Sequence, residues 1–129
     1  MAAEPILVVD DNEANLKLVR YVLLREGYDV RAATSAEDAL AVLATFHPRL
    51  ILMDVQMPGM DGLELTRRLK ADPATREIAV VALTAYAMKK DEERALEAGC
   101  SGYLAKPIDT RTLGATVARH LEAQGRSAP

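Results

Sequence analysis

LILMDVQMPGMDGLEL, residues 50–65, decides the fold. Its first four residues, Leu50 to Met53, are apolar without a break, and Asp54 ends the run. An uninterrupted apolar run of strand length predicts burial on both faces, as in a parallel sheet with helices on each side. From Leu63 an amphipathic segment runs to Ala71 and stops before Asp72-Pro73, where a helix ends. The stretch is one strand–loop–helix unit with a carboxylate at the strand's end.

The same unit recurs on both sides. Ile6–Val9 and Ile78–Leu83 are further continuous apolar runs. Tyr28–Ala33 mixes in polar residues and reads as an edge strand, and the short Gly102–Ala105 closes the other edge. The helical segments between them are Glu13 to Glu26, Ala36 to Phe46, Leu63 to Ala71 and Met88 to Ala98, with a last helix after Asp109. In the first, Leu16, Val19, Leu23 and Leu24 fall near one stripe, and Gly27 fits the stop. Ser35 with Asp38 three positions on makes a capping-box-like start. Leu113, Val117 and Leu121 recur at i, i+4, i+8 in the last helix. Five β/α units joined by right-handed crossovers predict an α/β, flavodoxin-like (βα)5 doubly wound parallel sheet, strand order 2-1-3-4-5.

Length and composition agree with one such domain over residues 1–129, with a core at about 5–123 and a flexible tail from Gln124 to Pro129. With a formal net charge of −3 and scattered basic residues, the chain carries no nucleic-acid footprint. No apolar run approaches the ~20 residues that span a bilayer, and the N-terminus lacks the features of a signal peptide. No nucleic-acid or membrane partner and a cytoplasmic location are expected. Cys100 is the sole cysteine. It cannot form an internal disulfide and reads as a small buried filler sooner than as a reactive thiol.

In an open α/β sheet the site lies outside the carboxyl ends of the strands, near the switch in strand order. The first strand ends at Asp10-Asp11, the third at Asp54 and the fourth at Thr84 beside the small Ala85, and the fifth is followed by Lys106-Pro107. Taken singly, each has an ordinary reading. Asp10 or Asp11 could cap a helix, Asp54 could make a turn, Thr84 could be a capping hydroxyl, and Lys106 says little. Taken together, all fall at one edge of one sheet. Three converging carboxylates repel one another, and two charges ~4 Å apart cost several kcal/mol at a surface-like dielectric. Oxygen-only ligands select a hard cation. Mg²⁺ fits best, because it keeps several waters and leaves room for a phosphate.

The stretches VVDDNEANLKLV (Val8–Val19), LILMDVQMPGMDGLEL, VALTAYAMKKDEERALEAG (Val81–Gly99) and GYLAKPID (Gly102–Asp109) closely resemble the receiver domains of two-component response regulators. The resemblance covers about Ile6 to Leu121, and its wording is similar to single-domain regulators of the DivK type and receivers of hybrid kinases. It implies that Asp54 accepts a phosphoryl group from a histidine kinase or histidine phosphotransfer protein. It implies that Asp11 binds Mg²⁺ (or Mn²⁺) directly and Asp10 mainly through water, with Asp54 and the Gln56 main-chain carbonyl completing the protein ligands. Thr84 and Lys106 are then expected at the phosphoryl oxygens, Lys106–Pro107 as a cis peptide, and Tyr103 as an aromatic switch, with a packing tyrosine as the plainer alternative. Met88, Tyr103 and Pro107 are expected on or near the output face. Asn12, Asn15 and Leu16 on the first helix are candidate contacts for the phosphodonor, Leu16 being equally readable as core.

The resemblance also implies no enzymatic activity beyond the domain's own phosphorylation and dephosphorylation, with output through a downstream protein target or onward phosphoryl transfer. The short tail after the fifth helix agrees with output through a partner. The main alternative is a phosphohydrolase with an aspartyl-phosphate intermediate. Such enzymes place a general acid two residues after the nucleophile, where this chain has Gln56. A flavin- or nucleotide-binding domain is disfavoured because the loop Asp10-Asp11-Asn12-Glu13 is acidic, has no glycine and would repel a phosphate. A degenerate receiver is disfavoured because every site residue is present.

Overall fold

The computed structural model describes residues 4–57, 60–84, 89–106 and 108–127. The elements follow in strict alternation: β1 (Pro5–Val9), α1 (Glu13–Arg25), β2 (Asp29–Ala33), α2 (Ala36–Leu43), β3 (Leu50–Asp54), α3 (Gly62–Ala71), β4 (Ala79–Thr84), α4 (Lys89–Ala98), β5 (Gly102–Ala105) and α5 (Thr110–Ser127). The strands form one parallel sheet in the order β2-β1-β3-β4-β5, the order expected from the sequence.

The continuous apolar strands feed two cores, as side-chain alternation requires. Leu7, Val9, Ile51, Met53, Val80 and Ala82 point to one face and pack with Ala39 of α2, Leu65 of α3 and Ala95 of α4. Ile6, Val8, Leu50, Leu52, Val81 and Leu83 point to the other and pack with Leu16, Val19 and Leu23 of α1 and Leu113, Val117 and Leu121 of α5. No described helix is long and apolar enough to cross a membrane.

The helix starts follow their caps. Asn12, Ser35 and Asp61 each accept a hydrogen bond from the backbone N–H three residues on, which satisfies one of the orphan donors of a first turn. Asp109 accepts from Arg111 N at 2.9 Å. Gly27 ends α1 with φ +92°, a conformation that a Cβ disfavours.

Two boundaries and the burial of one residue differ from the sequence reading. Leu24 is exposed, because it lies a further 100° round the helix from Leu23 and off the buried stripe. α2 ends at Leu43 and not at Phe46; Pro48 disfavours helical backbone at His47, and Phe46 enters the core from the turn. α5 runs to Ser127, beyond Ala123.

Candidate functional site

The strand register assembles the acidic site. β1 and β3 pair Val8 with Leu52 and Val9 with Met53, so the next residues along, Asp10 and Asp54, emerge side by side at the carboxyl end. Both are almost fully buried, at 1% and 2% exposure, whereas Asp11 is exposed. Carboxylates of Asp10, Asp11 and Asp54 each offer an oxygen within 4.8 Å of the others.

Each buried carboxylate is fixed in place. Asp10 Oδ1 accepts from Asn12 N at 2.9 Å, and its Oδ2 accepts from Asn15 Nδ2 at 3.4 Å. Asp54 Oδ1 accepts from Gln56 N at 3.1 Å. Lys106 Nζ stands 3.1 Å from Asp54 Oδ2 and 3.4 Å from Asp10 Oδ2. Asp54 Oδ2 is nevertheless buried without a well-directed hydrogen bond among the described residues. Its contact with the ammonium is an ion pair.

One ammonium does not balance three clustered carboxylates. Burial pushes the Asp54 carboxyl up to about 6, the neighbouring Asp10 carboxyl adds to the rise, and Lys106 and the Gln56 N–H oppose it. The donor set is oxygen only, it carries excess negative charge, and one buried oxygen lacks a proper partner. Such a cluster could hold a hard divalent cation.

Thr84 and Lys106 arrive by the same register logic. Thr84 is buried at the end of β4, paired with Ala105 of β5. Lys106 N donates to Thr84 O at 2.7 Å, which anchors the lysine backbone next to the site. Tyr103 on β5 is half-buried and packs against the core. The charge of the Glu92 carboxylate of α4 pushes its phenol above its usual range, with desolvation adding to the effect. A cavity of about 440 Å³ lies between these elements and reaches Thr84, Gln56 and Tyr103. Ala85, Met88 and Pro107, and with Pro107 the expected cis peptide, lie outside the described residues.

On the first helix, Asn12 is exposed and caps α1, and Asn15 braces Asp10. Leu16 is only 7% exposed and belongs to the core beneath α1. This is the core reading of Leu16, on the α1 stripe that faces the sheet. Cys100 is buried, and burial pushes its thiol up, against the Thr66 hydroxyl contact, which makes it a poor nucleophile.

Sequence reasoning missed Gly62. A Cβ there would lie 2.1 Å from the Asp54 carbonyl oxygen and 2.8 Å from Met53 Cγ. Gly62 N also donates to Val55 O at 3.2 Å. The start of α3 is thus pressed against the backbone that carries Asp54, and only glycine permits the approach. The signal was a glycine just before the helix that follows the strand-end carboxylate, Asp61-Gly62 ahead of Leu63.

Residues 6–118 match the model of the response regulator receiver domain. The polar-differentiation response regulators DivK of Brucella abortus and Brucella suis are 43% identical over 116 residues, which is 90% of this chain and 94% of theirs. A CheY-like response regulator receiver domain protein from Methanospirillum hungatei has a TM-score of 0.89 at 29% identity, covering 98% of this chain and 99% of that one. The signal receiver domain of a signal transduction histidine kinase from Syntrophus aciditrophicus has a TM-score of 0.85 at 34% identity, over 94% and 92%. With this match over most of its length, on a five-stranded sheet with an acidic cluster at the switch in strand order, the chain belongs to the response regulator receiver domains of two-component systems.

Proposed function

We propose that Asp54 accepts a phosphoryl group from a phospho-histidine donor and stores it as an acyl phosphate that changes what the protein binds. The observation that carries this reading is the buried Asp54 carboxylate, set beside Asp10 and paired with Lys106 at 3.1 Å. A carboxylate oxygen of Asp54 attacks phosphorus in line. The new O–P bond forms as the N–P bond to the donor imidazole breaks, and the electron pair returns to the ring nitrogen. Lys106 offsets charge on the transferring oxygens, and the Thr84 hydroxyl is placed at the same strand end to donate to one of them.

Asp10, Asp11, Asp54 and the Gln56 carbonyl would hold Mg²⁺, or Mn²⁺ in its place. The ion would supply charge neutralisation between carboxylates and phosphoryl oxygens. The residues themselves position the nucleophile: the Gln56 N–H and Lys106 fix the carboxylate from opposite ends. Asn12 and Asn15, next to the site, are offered as contacts for the donor, a histidine kinase or a histidine phosphotransfer protein. Once phosphorylated, the site carries about −1.5 to −2 charge. Thr84 moves toward it, and Tyr103 follows into the space behind. The altered face of α4, β5 and α5 then engages a protein target, or the group passes onward to a histidine. The whole chain acts in this way as a single receiver domain. Incubation with a small phosphodonor and Mg²⁺ tests the reading: the wild-type chain takes up one phosphoryl group and Asp54→Ala takes up none. Undiminished uptake by Asp54→Ala would remove the assignment.

A further inference from the structure

We propose that Asn15 is a positioning residue that keeps the Lys106 ammonium on Asp54: by donating to Asp10, its side-chain amide stops Asp10 from drawing the lysine away from the nucleophile. The inference rests on the reading of Asp54 as the nucleophile and Lys106 as its charge partner, and it gives Asn15 a role that needs no contact with the phosphodonor. Two buried carboxylates compete for one ammonium. Lys106 Nζ stands 3.1 Å from Asp54 Oδ2 and 3.4 Å from Asp10 Oδ2. The contest is uneven, because the first turn of α1 supplies Asp10 with donors of its own. Asn12 N donates to Asp10 Oδ1 at 2.9 Å, and Asn15 Nδ2 donates to Oδ2 at 3.4 Å. Asp54 has the Gln56 N–H on Oδ1 at 3.1 Å, while its buried Oδ2 has no well-directed hydrogen bond among the described residues. The ammonium therefore does most for Asp54, the carboxylate with fewer donors.

Asn15 is fixed for this task from two sides. Its backbone N–H donates to Asn12 Oδ1 at 3.0 Å in the cap of α1, and its neighbour Leu16 is anchored in the core. The amide thus reaches Asp10 from a rigid first turn, and Asn15 is itself half-buried. A neutral donor suits the place. It satisfies a lone pair of Asp10 without adding a positive charge that would repel a divalent ion in the cluster. Without the amide, Asp10 Oδ2 faces Lys106 alone, and a buried carboxylate short of a donor pulls harder on the nearest cation. Lys106 then moves toward Asp10, leaves Asp54 Oδ2 uncompensated and competes with a divalent ion for the acidic pair. Loss of the amide is expected to weaken divalent-ion binding and to slow phosphorylation, each by about three- to tenfold, as suits one long hydrogen bond to a charged group.

The test uses the full chain, with Asn15→Leu to remove the amide at similar size and Asn15→Ala as a second variant. Crystal structures without metal are compared first. Wild type is expected to hold Lys106 nearer to Asp54, and the variants to hold it nearer to Asp10. Mn²⁺ titrations followed by electron paramagnetic resonance, and phosphoramidate labelling of Asp54 at a Mg²⁺ concentration that half-saturates wild type, are expected to show losses of the stated size in both variants. In an Asp10→Asn background, where no charge is left to draw the lysine, Asn15→Leu should leave Mn²⁺ affinity unchanged. Phosphoramidate presents no protein surface, so a normal labelling rate in both variants would reduce Asn15 to a docking contact and overturn the proposal. A lysine that stays on Asp54 in the variant structures, or a full loss of Mn²⁺ affinity on adding Asn15→Leu to Asp10→Asn, would overturn it as well. If wild type takes no label at Asp54, the functional reading fails instead, and the crystal structures and Mn²⁺ titrations still decide on Asn15.

Discussion

Asp54 has its carboxyl pKa raised from 3.8 to about 6, because burial and Asp10 outweigh Lys106 and the Gln56 N–H. A carboxyl group that is more basic in the folded state than in the unfolded state binds more protons when folded. Its contribution to stability is therefore fully present below the unfolded pKa and is lost as pH rises through the folded one. In EDTA the wild-type chain should become less stable from about pH 4 to pH 7, by about 2–3 kcal/mol on this group's account. Asp54→Asn should remove most of that slope and be more stable than wild type at pH 7 by about 1–2 kcal/mol, as read from urea melts at each pH. A flat wild-type profile would mean that the carboxylate is not strained. Lys106→Met should push the Asp54 carboxyl higher still and slow phosphorylation more than tenfold, with binding of Mg²⁺ retained. Sequence showed these residues through their type and their place at strand ends. It could not choose between the two readings of Leu16, because helical periodicity says which residues share a stripe and not where the sheet lies.

The start of α3 packs directly against the backbone that carries Asp54. Gly62 sits against the Asp54 carbonyl so closely that a methyl group would meet it at 2.1 Å. Gly62→Ala must therefore displace the backbone of Asp54 or the start of α3. It should cost about 2–3 kcal/mol, measured by urea denaturation, and should reduce labelling of Asp54. Asp61→Ala, which removes only the cap on Glu64 N at 2.8 Å, should cost about 1 kcal/mol and leave labelling nearly intact. Equal loss of labelling in both variants would show that general loosening of α3, and not the contact with Asp54, is responsible. Strand and helix identities at this scale were legible because continuous apolar runs and amphipathic segments differ in period. The end of α2 was placed too late because the apolar pattern runs on to Phe46, although Pro48 limits the helix, and the extent of α5 was less legible because its continuation past Ala123 depends on local backbone preferences too weak to read.

Across the whole molecule, parallel pairing converts four separate strand ends into one site. Asp10 and Asp11 leave β1, Asp54 ends β3, Thr84 ends β4 and Lys106 follows β5, so the charge cluster exists only when the sheet is complete. Divalent-ion binding should then stabilise the fold globally. At Mg²⁺ a hundredfold above its dissociation constant, the wild-type chain should gain about 2.7 kcal/mol, and Asp11→Ala should gain much less. An equal gain in Asp11→Ala would place the ion elsewhere. The strand order was legible from the sequence because five β/α units with right-handed crossovers leave few alternatives, and the convergence of the carboxylates follows from that order. The central claim is that Asp54 stores the phosphoryl group, and borohydride reduction tests it most directly. Borohydride reduces an aspartyl phosphate to homoserine, which peptide mass mapping can locate after labelling with phosphoramidate and Mg²⁺. The prediction is homoserine at position 54 alone, dependent on Mg²⁺ and absent when the donor is withheld. Homoserine at position 10 or 11, or a phosphoryl group retained elsewhere while position 54 stays an aspartate, would contradict it.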